Sequence, residues 1–351
     1  MAKNIYDDIF ANFKKNDEDI QDFKRILGRG AFGEVREVLI CGKIYAAKLV
    51  KKEKSDNIEP DRLRGSNIIK IVKISERQIG DKYYDLIVME KAVLKDIGTL
   101  ISFLNERNLL KLIYNPFNNS YENNLLRFFA RQIIIGLETL DRNEFVHFDI
   151  KPENLLVTSG LILKISDFSF LKNLRNDEGK FKIPGGTHGY VSPEYYKREK
   201  IDGNEAKKQD YFALGATLYF IKFYHRLLKY KKYDDDKMNQ TRVIDLLQRN
   251  ISLIRSDLLL EKDFIEFICS LIAYSPEQRP TFEDIYRNKW LNKYSNLISD
   301  INHTFTEGDE DKLLRELLKS DFLIVKKNEY KNRNIPKFKF LRKKKLKKII
   351  N

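Results

Sequence analysis

Between Phe23 and Glu90 apolar residues alternate with polar ones in short runs, and beyond Lys91 they recur every three or four residues. The first texture predicts strands and the second helices, because side chains alternate across a strand but return to one face of a helix each turn. FKRILGRG (23–30) and EVREVLI (34–40) flank a Gly-rich turn, and KIYAAKLV (43–50) follows a Cys-Gly turn, which predicts three successive antiparallel strands. A charged stretch, 51–66, has room for one short helix; IIKIVKI (68–74) and YYDLIVME (83–90) are two more strand candidates.

The helical texture covers TLISFLNERNLL (99–110) and ENNLLRFFARQIIIGLETLDRN (122–143), then 205–224, 241–255, 261–273 and 281–290, with short strands around HFDIKPENLL (147–156) and LILKISDF (161–168). A sheet-rich lobe followed by a mainly helical one is an α+β arrangement, and ligands bind in clefts between such lobes. The polar residues 1–22, with an amphipathic stretch at Ile5, Ile9 and Phe13, read as a helical extension. Past Trp290 the order loosens, leaving one short amphipathic helix over 309–320. There is no internal repeat.

Composition changes this picture little. A chain of 351 residues suits one two-lobed domain or two ordinary ones, and 42% hydrophobic with 33% charged residues is soluble and globular. Cys41 and Cys269 lie far apart without CxxC spacing; this speaks against a disulfide framework or zinc site and for two buried small residues in a reducing compartment. The start, MAKNIYDDIF, has early acids and no apolar core, so no secretory signal is visible. YFALGATLYFI (211–221) is too short to span a bilayer and reads as a buried helix. The expected location is intracellular, cytoplasmic or nuclear.

Charge matters more. Of the net +14, +11 sits in 326–348, where twelve Lys or Arg meet one acid, so the remainder carries only +3. Basicity is a property of the tail.

The turn GRGAFGEV places Gly28, Gly30 and Gly33 between two strands, where glycine lets backbone N–H groups approach phosphate oxygens. A tight hairpin alone satisfies that spacing. A dinucleotide site would need a helix next, and EVREVLI argues for a strand. Lys48 alternates with apolar neighbours fifteen residues past Gly33, where one hairpin could bring it under the flap.

HFDIKPENLL makes the pattern specific. Together with SDF (166–168), GGTHGYVSPE (185–194), DYFALG (210–215) and SPEQRP (275–280), in that order, these segments resemble the eukaryotic protein kinase family from about Phe23 to Leu291. Lys151 in KPEN is similar to the serine/threonine branch. The resemblance implies a small antiparallel sheet-rich lobe with one helix (23–90), a mainly helical lobe (93–292), and a C-terminal extension (293–351). It implies ATP and Mg2+ as cofactors and phosphoryl transfer to protein Ser/Thr hydroxyls, chemistry that needs positioning and charge neutralisation.

Residue by residue, it implies that Lys48 grips the α/β-phosphates and that Asp167 and Asn154 hold magnesium. Asp149 would accept the substrate proton, and Lys151 would neutralise the phosphoryl group in flight. Val35, Ala46 and Leu156 would sandwich the adenine, with Met89, Glu90 and Ala92 in the hinge behind it. Glu194 would pair with Arg279, and Thr187 would contact Asp149.

Four departures stand out. Phe148 replaces the Arg that usually precedes the catalytic Asp, and FLKNLRNDEGKFKIPGG (170–186) contains no Ser, Thr or Tyr. Both halves of a phosphate switch are absent together, which predicts independence from activation-segment phosphorylation. Ser169 replaces the usual Gly, which predicts a metal-binding segment held inward with Phe168 buried. The glutamate expected to pair with Lys48 is Glu59, only eleven residues on and followed by Pro60, so it would stand at the start of its helix.

Glu153 and Asp96 match positions that meet basic residues in substrates of basophilic relatives, although Asp96 could instead bind the ribose. The tail is compatible with a solvated charge run, or with binding an acidic protein, a membrane surface, nucleic acid or the kinase domain itself. The alternative to an active enzyme is a nucleotide-binding pseudokinase scaffold.

Overall fold

The alternating runs form a five-stranded antiparallel sheet. In the computed structural model, which describes residues 5–30, 33–54, 58–106, 121–175, 179–197, 200–223, 226–227, 249–252 and 262–292, helix α1 (Ile5–Lys15) leads into it. The strands are β1 (Ile20–Gly30), β2 (Gly33–Ile40), β3 (Lys43–Lys51), β4 (Ile71–Ile79) and β5 (Lys82–Met89), in the spatial order β1-β2-β3-β5-β4. Left-handed backbone at Cys41 and Gly42 turns β2 into β3. This exposes Cys41, contrary to the buried role expected of it, whereas Cys269 is buried.

The apolar stripe of α1 explains its placement. Ile9, Phe10 and Phe13 pack on Val38, Ala47, Leu49, Leu86 and Val88, covering one face of the sheet. Side chains alternate along β3, so Ala46 and Lys48 take the opposite face. Arg36 stacks over the Phe10 ring at 4.4 Å and pairs with Asp7, clamping the helix. The expected division after residue 22 is therefore not a structural seam: β1 starts at Ile20, and α1 completes the core of the sheet.

The helix expected in 51–66 does not form among the described residues. A single 3-10 turn spans Lys52–Lys54, and a tight turn follows at Glu59, whose carbonyl accepts from the Arg62 and Leu63 N–H groups. The stretch carries no apolar stripe to bury, and Pro60 favours the turn. β4 begins at Ile71 rather than Ile68, because Asn67 and Ile69 instead exchange backbone bonds with Ile165 (2.8 and 2.9 Å).

Helices dominate the rest: α2 (Ile97–Glu106), α3 (Tyr121–Arg142), α4 (Pro193–Lys197), α5 (Gly203–Phe223), α6 (Lys262–Leu271), α7 (Phe282–Tyr286) and α8 (Lys289–Asn292). Short strands stand between them: β6 (Phe145–Val146) pairs β9 (Lys172–Asn173), β7 (Leu155–Val157) pairs β8 (Leu163–Ile165), and β10 (Phe181–Lys182) pairs β11 (Lys200–Ile201). The helix expected over 281–290 is two, α7 opening on a Thr281–Asp284 capping box. Of the helix expected over 241–255 only 249–252 are described, and they are helical. The helix expected over 309–320 and the basic tail lie outside the described residues.

α5 carries 211–221 as its buried centre. Trp290 seals the helical core against Phe264 and Phe267, and buried Glu194 pairs with buried Arg279 at 2.7 Å. Among the described residues, no helix is long and apolar enough to cross a membrane.

Candidate active site

The floor of the cleft is the loop from His147 to Asn154, and one buried carboxylate fixes its start. Asp210, in α5, accepts the backbone N–H groups of His147 (2.7 Å) and Phe148 (2.9 Å). This holds Phe148 at φ +62°, a left-handed conformation unusual for a bulky residue. Burial pushes the Asp210 carboxyl up to about 7, even though the two backbone N–H groups work to lower it. His147 is fully buried: its Nδ1 accepts from the Asp149 N–H and its Nε2 donates to the Ser166 carbonyl. Burial depresses its pKa, which keeps it neutral in that tautomer.

Asp149 is the hub. Its Oδ1 accepts from the Thr187 hydroxyl (2.6 Å), and its Oδ2 from Lys151 Nζ (2.6 Å) and Asn154 Nδ2 (2.9 Å). Lys151 also donates to the Thr187 hydroxyl (2.6 Å). The Asn154 side-chain amide gives its second N–H to the Asp149 backbone carbonyl, so both of its N–H groups point at Asp149. Ser166 bonds the Asn154 backbone carbonyl through both its N–H and its hydroxyl, tying the floor to the strand end that presents Asp167.

Asp167 sits at φ +64°, a conformation that Asp tolerates better than most residues. Its Oδ1 accepts from Lys48 Nζ (2.5 Å) and the Ser169 hydroxyl (2.6 Å). Desolvation favours the neutral acid, but the Lys48 charge and these hydrogen bonds outweigh it and hold Asp167 well below the usual carboxylate range. Phe168 is buried with its ring against His147, the inward state expected from Ser169.

The Lys48–Glu59 pair is a correction. Glu59 accepts from Arg62 (2.9 and 3.0 Å) and Asn173 (2.7 Å), while Lys48 bonds Asp167 and Ser169. Without the helix that would carry Glu59 toward β3, the turn at Pro60 leaves it facing β9. Ile58, Ile69 and Phe168 line a small cavity behind Lys48.

The roof is the β1–β2 hairpin. Gly33 has φ +151°, and a Cβ there would collide with the Leu49 carbonyl, so only glycine lets β2 run this close to β3. Added Cβ atoms at Gly28 and Gly30 would meet nothing within 4 Å, so packing does not require glycine at either position. Glu34, fully buried, ties the hairpin together through Arg29 and Arg36. Val35 and Ala46 lie on β2 and β3, Ala46 pairs Met89 across the sheet, and Leu156 stands below on β7.

At the hinge, the Glu90 carboxylate accepts the Lys70 N–H (2.7 Å) and pairs with Lys164 (2.8 Å), while Ala92 is half-buried. Asp96 caps α2 by accepting the Thr99 N–H (2.9 Å) and hydroxyl (2.6 Å), whereas Glu153 is exposed. The sequence offered no sign of Ser169 as a partner of Lys48. Asp210 was legible only as part of DYFALG.

The remaining departure, Phe148, lies in an apolar cluster. With Val146, Ile201 and Ala206 it forms a buried group against which Phe170, Leu174, Phe181 and Ile183 pack, all four from the segment between Asp167 and Thr187. Its ring meets Phe181 edge-on at 6.4 Å. Gly185 and Gly186 have φ +156° and +144°, and added Cβ atoms would strike the Phe170 ring and the Phe148 carbonyl. Two glycines thus let the segment lie directly on this cluster.

The cleft thus gathers Lys48 above, Asp149, Asp167 and Asn154 below, and the glycine hairpin over them into one site. The protein kinase domain profile matches residues 22–291, and the chain belongs to the protein kinase family. It is 32% identical over 201 residues to rhodopsin kinase GRK1 of Homo sapiens, covering 56% of this chain and 34% of that protein. It is 30% identical over 278 residues to G protein-coupled receptor kinase 4 of Rattus norvegicus (74% and 46%). Against Rho-associated protein kinase 1 of Homo sapiens it is 28% identical over 238 residues (62% and 16%). The chain thus spans less than half the length of these curated relatives.

Proposed function

We propose that this chain is an ATP- and magnesium-dependent serine/threonine protein kinase that needs no phosphate on its activation segment. The observation that carries the reading is the Asp149 hub, with Lys151, Asn154 and Thr187 all bonded to one buried carboxylate. The donor set fits the metal: the Asp167 carboxylate and Asn154 amide oxygen are hard ligands, and Mg2+ completes its shell with water and phosphate rather than an all-protein cage.

Bound magnesium–ATP supplies the phosphoryl group and part of the charge neutralisation. Asp149 orients the incoming hydroxyl and takes its proton as the oxygen bonds to the γ-phosphorus and ADP leaves. Lys151, held between Asp149 and Thr187, meets the charge on the transferring group. Lys48 binds the α/β-phosphates, and Val35, Ala46 and Leu156 take the base, with backbone groups of the hinge from Met89 through Glu90 to Ala92 behind it.

Independence from phosphorylation rests on the Phe148 cluster. Where an Arg would require an anion, an apolar side chain docks the segment by burying Phe170, Phe181 and Ile183. Phe170, Phe181 and Ile183 are partly buried, so each contributes less than the about 1.5–3 kcal/mol of a fully buried large apolar side chain, and together they stand in for one charge-assisted contact.

Protein substrates follow from the family. Basic-directed selection rests on Glu153 alone, since Asp96 serves α2. Cutting the chain after Val325 tests every reading of the tail as a binder of acidic protein, membrane, nucleic acid or the kinase domain: unchanged activity and location leave the solvated run.

One observation favours the pseudokinase reading: Lys48 rests on the carboxylate assigned to magnesium. Radiolabelled phosphate transfer to generic proteins decides between the two. Asp149→Asn should lose at least about a hundredfold in rate while the protein still unfolds in a cooperative transition. No transfer by the unmodified protein, or transfer that survives the substitution, contradicts the proposal.

A further inference from the structure

The lysine that grips the phosphates must itself be held, and in this chain the glutamate predicted to hold it does not. Glu59 is occupied by Arg62 and Asn173, on the far side of a turn that replaces a helix. Lys48 is instead one corner of a triangle. Its ammonium donates to Asp167 Oδ1 (2.5 Å) and to the Ser169 hydroxyl (3.1 Å), and that hydroxyl donates in turn to the same Asp167 oxygen (2.6 Å). The Ser169 N–H adds a fourth bond, to Asp167 Oδ1 (3.3 Å).

We propose that Ser169 is the positioning residue for Lys48 and Asp167, taking the place left by Glu59, which is paired with Arg62 and Asn173 instead. The inference rests on the kinase reading of the cleft. A hydroxyl suits this place because it accepts from the ammonium and donates to the carboxylate at once, so it fixes both charged groups relative to each other. A glutamate holds only the lysine; Ser169 also holds the metal ligand. If Asp167 served a metal instead, the Ser169 hydroxyl would still accept from Lys48 and give the ammonium a neutral anchor. Gly could not do this, and the backbone does not ask for it: Ser169 is absent from the described residues with positive φ.

The backbone there accepts any side chain, so Ser169→Ala, Ser169→Gly and Ser169→Thr should all fold. Two readouts test the role. The first, without nucleotide, is amide hydrogen exchange of the segment 166–171: it should quicken several-fold in the Ala and Gly variants and stay near the unmodified rate with Thr. The second is ATP kinetics: Ala and Gly should lower kcat/KM for ATP about tenfold, as expected for a lost hydrogen bond to a charged group, and Thr should restore most of it. Glu59→Gln should raise KM for ATP less than Ser169→Ala does. Exchange and kinetics unchanged by Ala and Gly, or a larger loss from Glu59→Gln, would overturn the proposal. If the unmodified protein transfers no phosphate while the exchange pattern holds, the kinase reading fails and the positioning role of Ser169 stands.

Discussion

The floor and the roof of the cleft are built from equally recognisable sequence, yet only the floor assembles as that sequence implies. Asp149, Lys151, Asn154, Ser166 and Thr187 bond one another in a closed network. Above them Lys48 stands where the strand register puts it, opposite Val35 and Ile87, but its expected partner is elsewhere. Lys151 and Asn154 lie two and five residues from Asp149, so the motif carries that much of its own geometry, and Thr187, 38 residues on, comes from a second motif with its own glycine turn. The roof depends on a helix supplied by 51–66, a stretch without an apolar face. A charge pair between distant elements is only as secure as the element that delivers each half.

Substitutions sharpen this contrast. The largest effect on folding should come from Glu194→Gln, which strands Arg279 as a buried charge in the helical lobe; about 3–5 kcal/mol of stability should be lost, read by denaturant unfolding. Phe148→Arg should come next, placing a charge among Phe170, Phe181 and Ile183 with no phosphate to receive it, at a cost of several kcal/mol and most of the activity. If Phe148→Arg instead unfolds like the unmodified protein and turns over faster, the apolar clasp is not what docks the segment. Asp96→Ala removes the cap of α2 and should cost about 1 kcal/mol in melting experiments, while KM for ATP moves little if the ribose does not use Asp96.

The smallest effect is a titration. His147 is buried and its folded pKa is depressed, so the unfolded chain binds more protons than the folded one below the free-histidine value. Stability should therefore fall as pH drops below about 6.5. The His147 ring resonance should stay that of neutral imidazole at pH 6, where a free histidine is largely protonated. A His147 signal that titrates near the free-histidine value would place the ring in solvent and break the floor.

Most of the fold was legible because periodicity reports burial directly. The five strands, the long helices at Tyr121–Arg142 and Gly203–Phe223, and the buried centre of the latter all follow from it. The site was legible where partners share a motif, as in Asp149 with Asn154. What failed was tertiary. Nothing in the sequence near Glu59 says that Arg62 and Asn173 will claim its carboxylate. Nor does Ser169 announce that its hydroxyl bridges a lysine 121 residues away. The amphipathic stretch of 5–13 was visible, but only the packing of Phe10 and Phe13 on Leu49 and Val88 makes α1 part of the sheet's core.

Phe148 joins the two halves of this comparison, because it belongs to the floor's motif yet acts through the segment packed beside it. The direct test is the initial rate of phosphate transfer by phosphatase-treated protein against untreated protein, with Asp149→Asn as background. An apolar clasp predicts equal rates after treatment. A large loss on treatment, restored by incubation with ATP, would show that a phosphate does the docking and that the clasp does not.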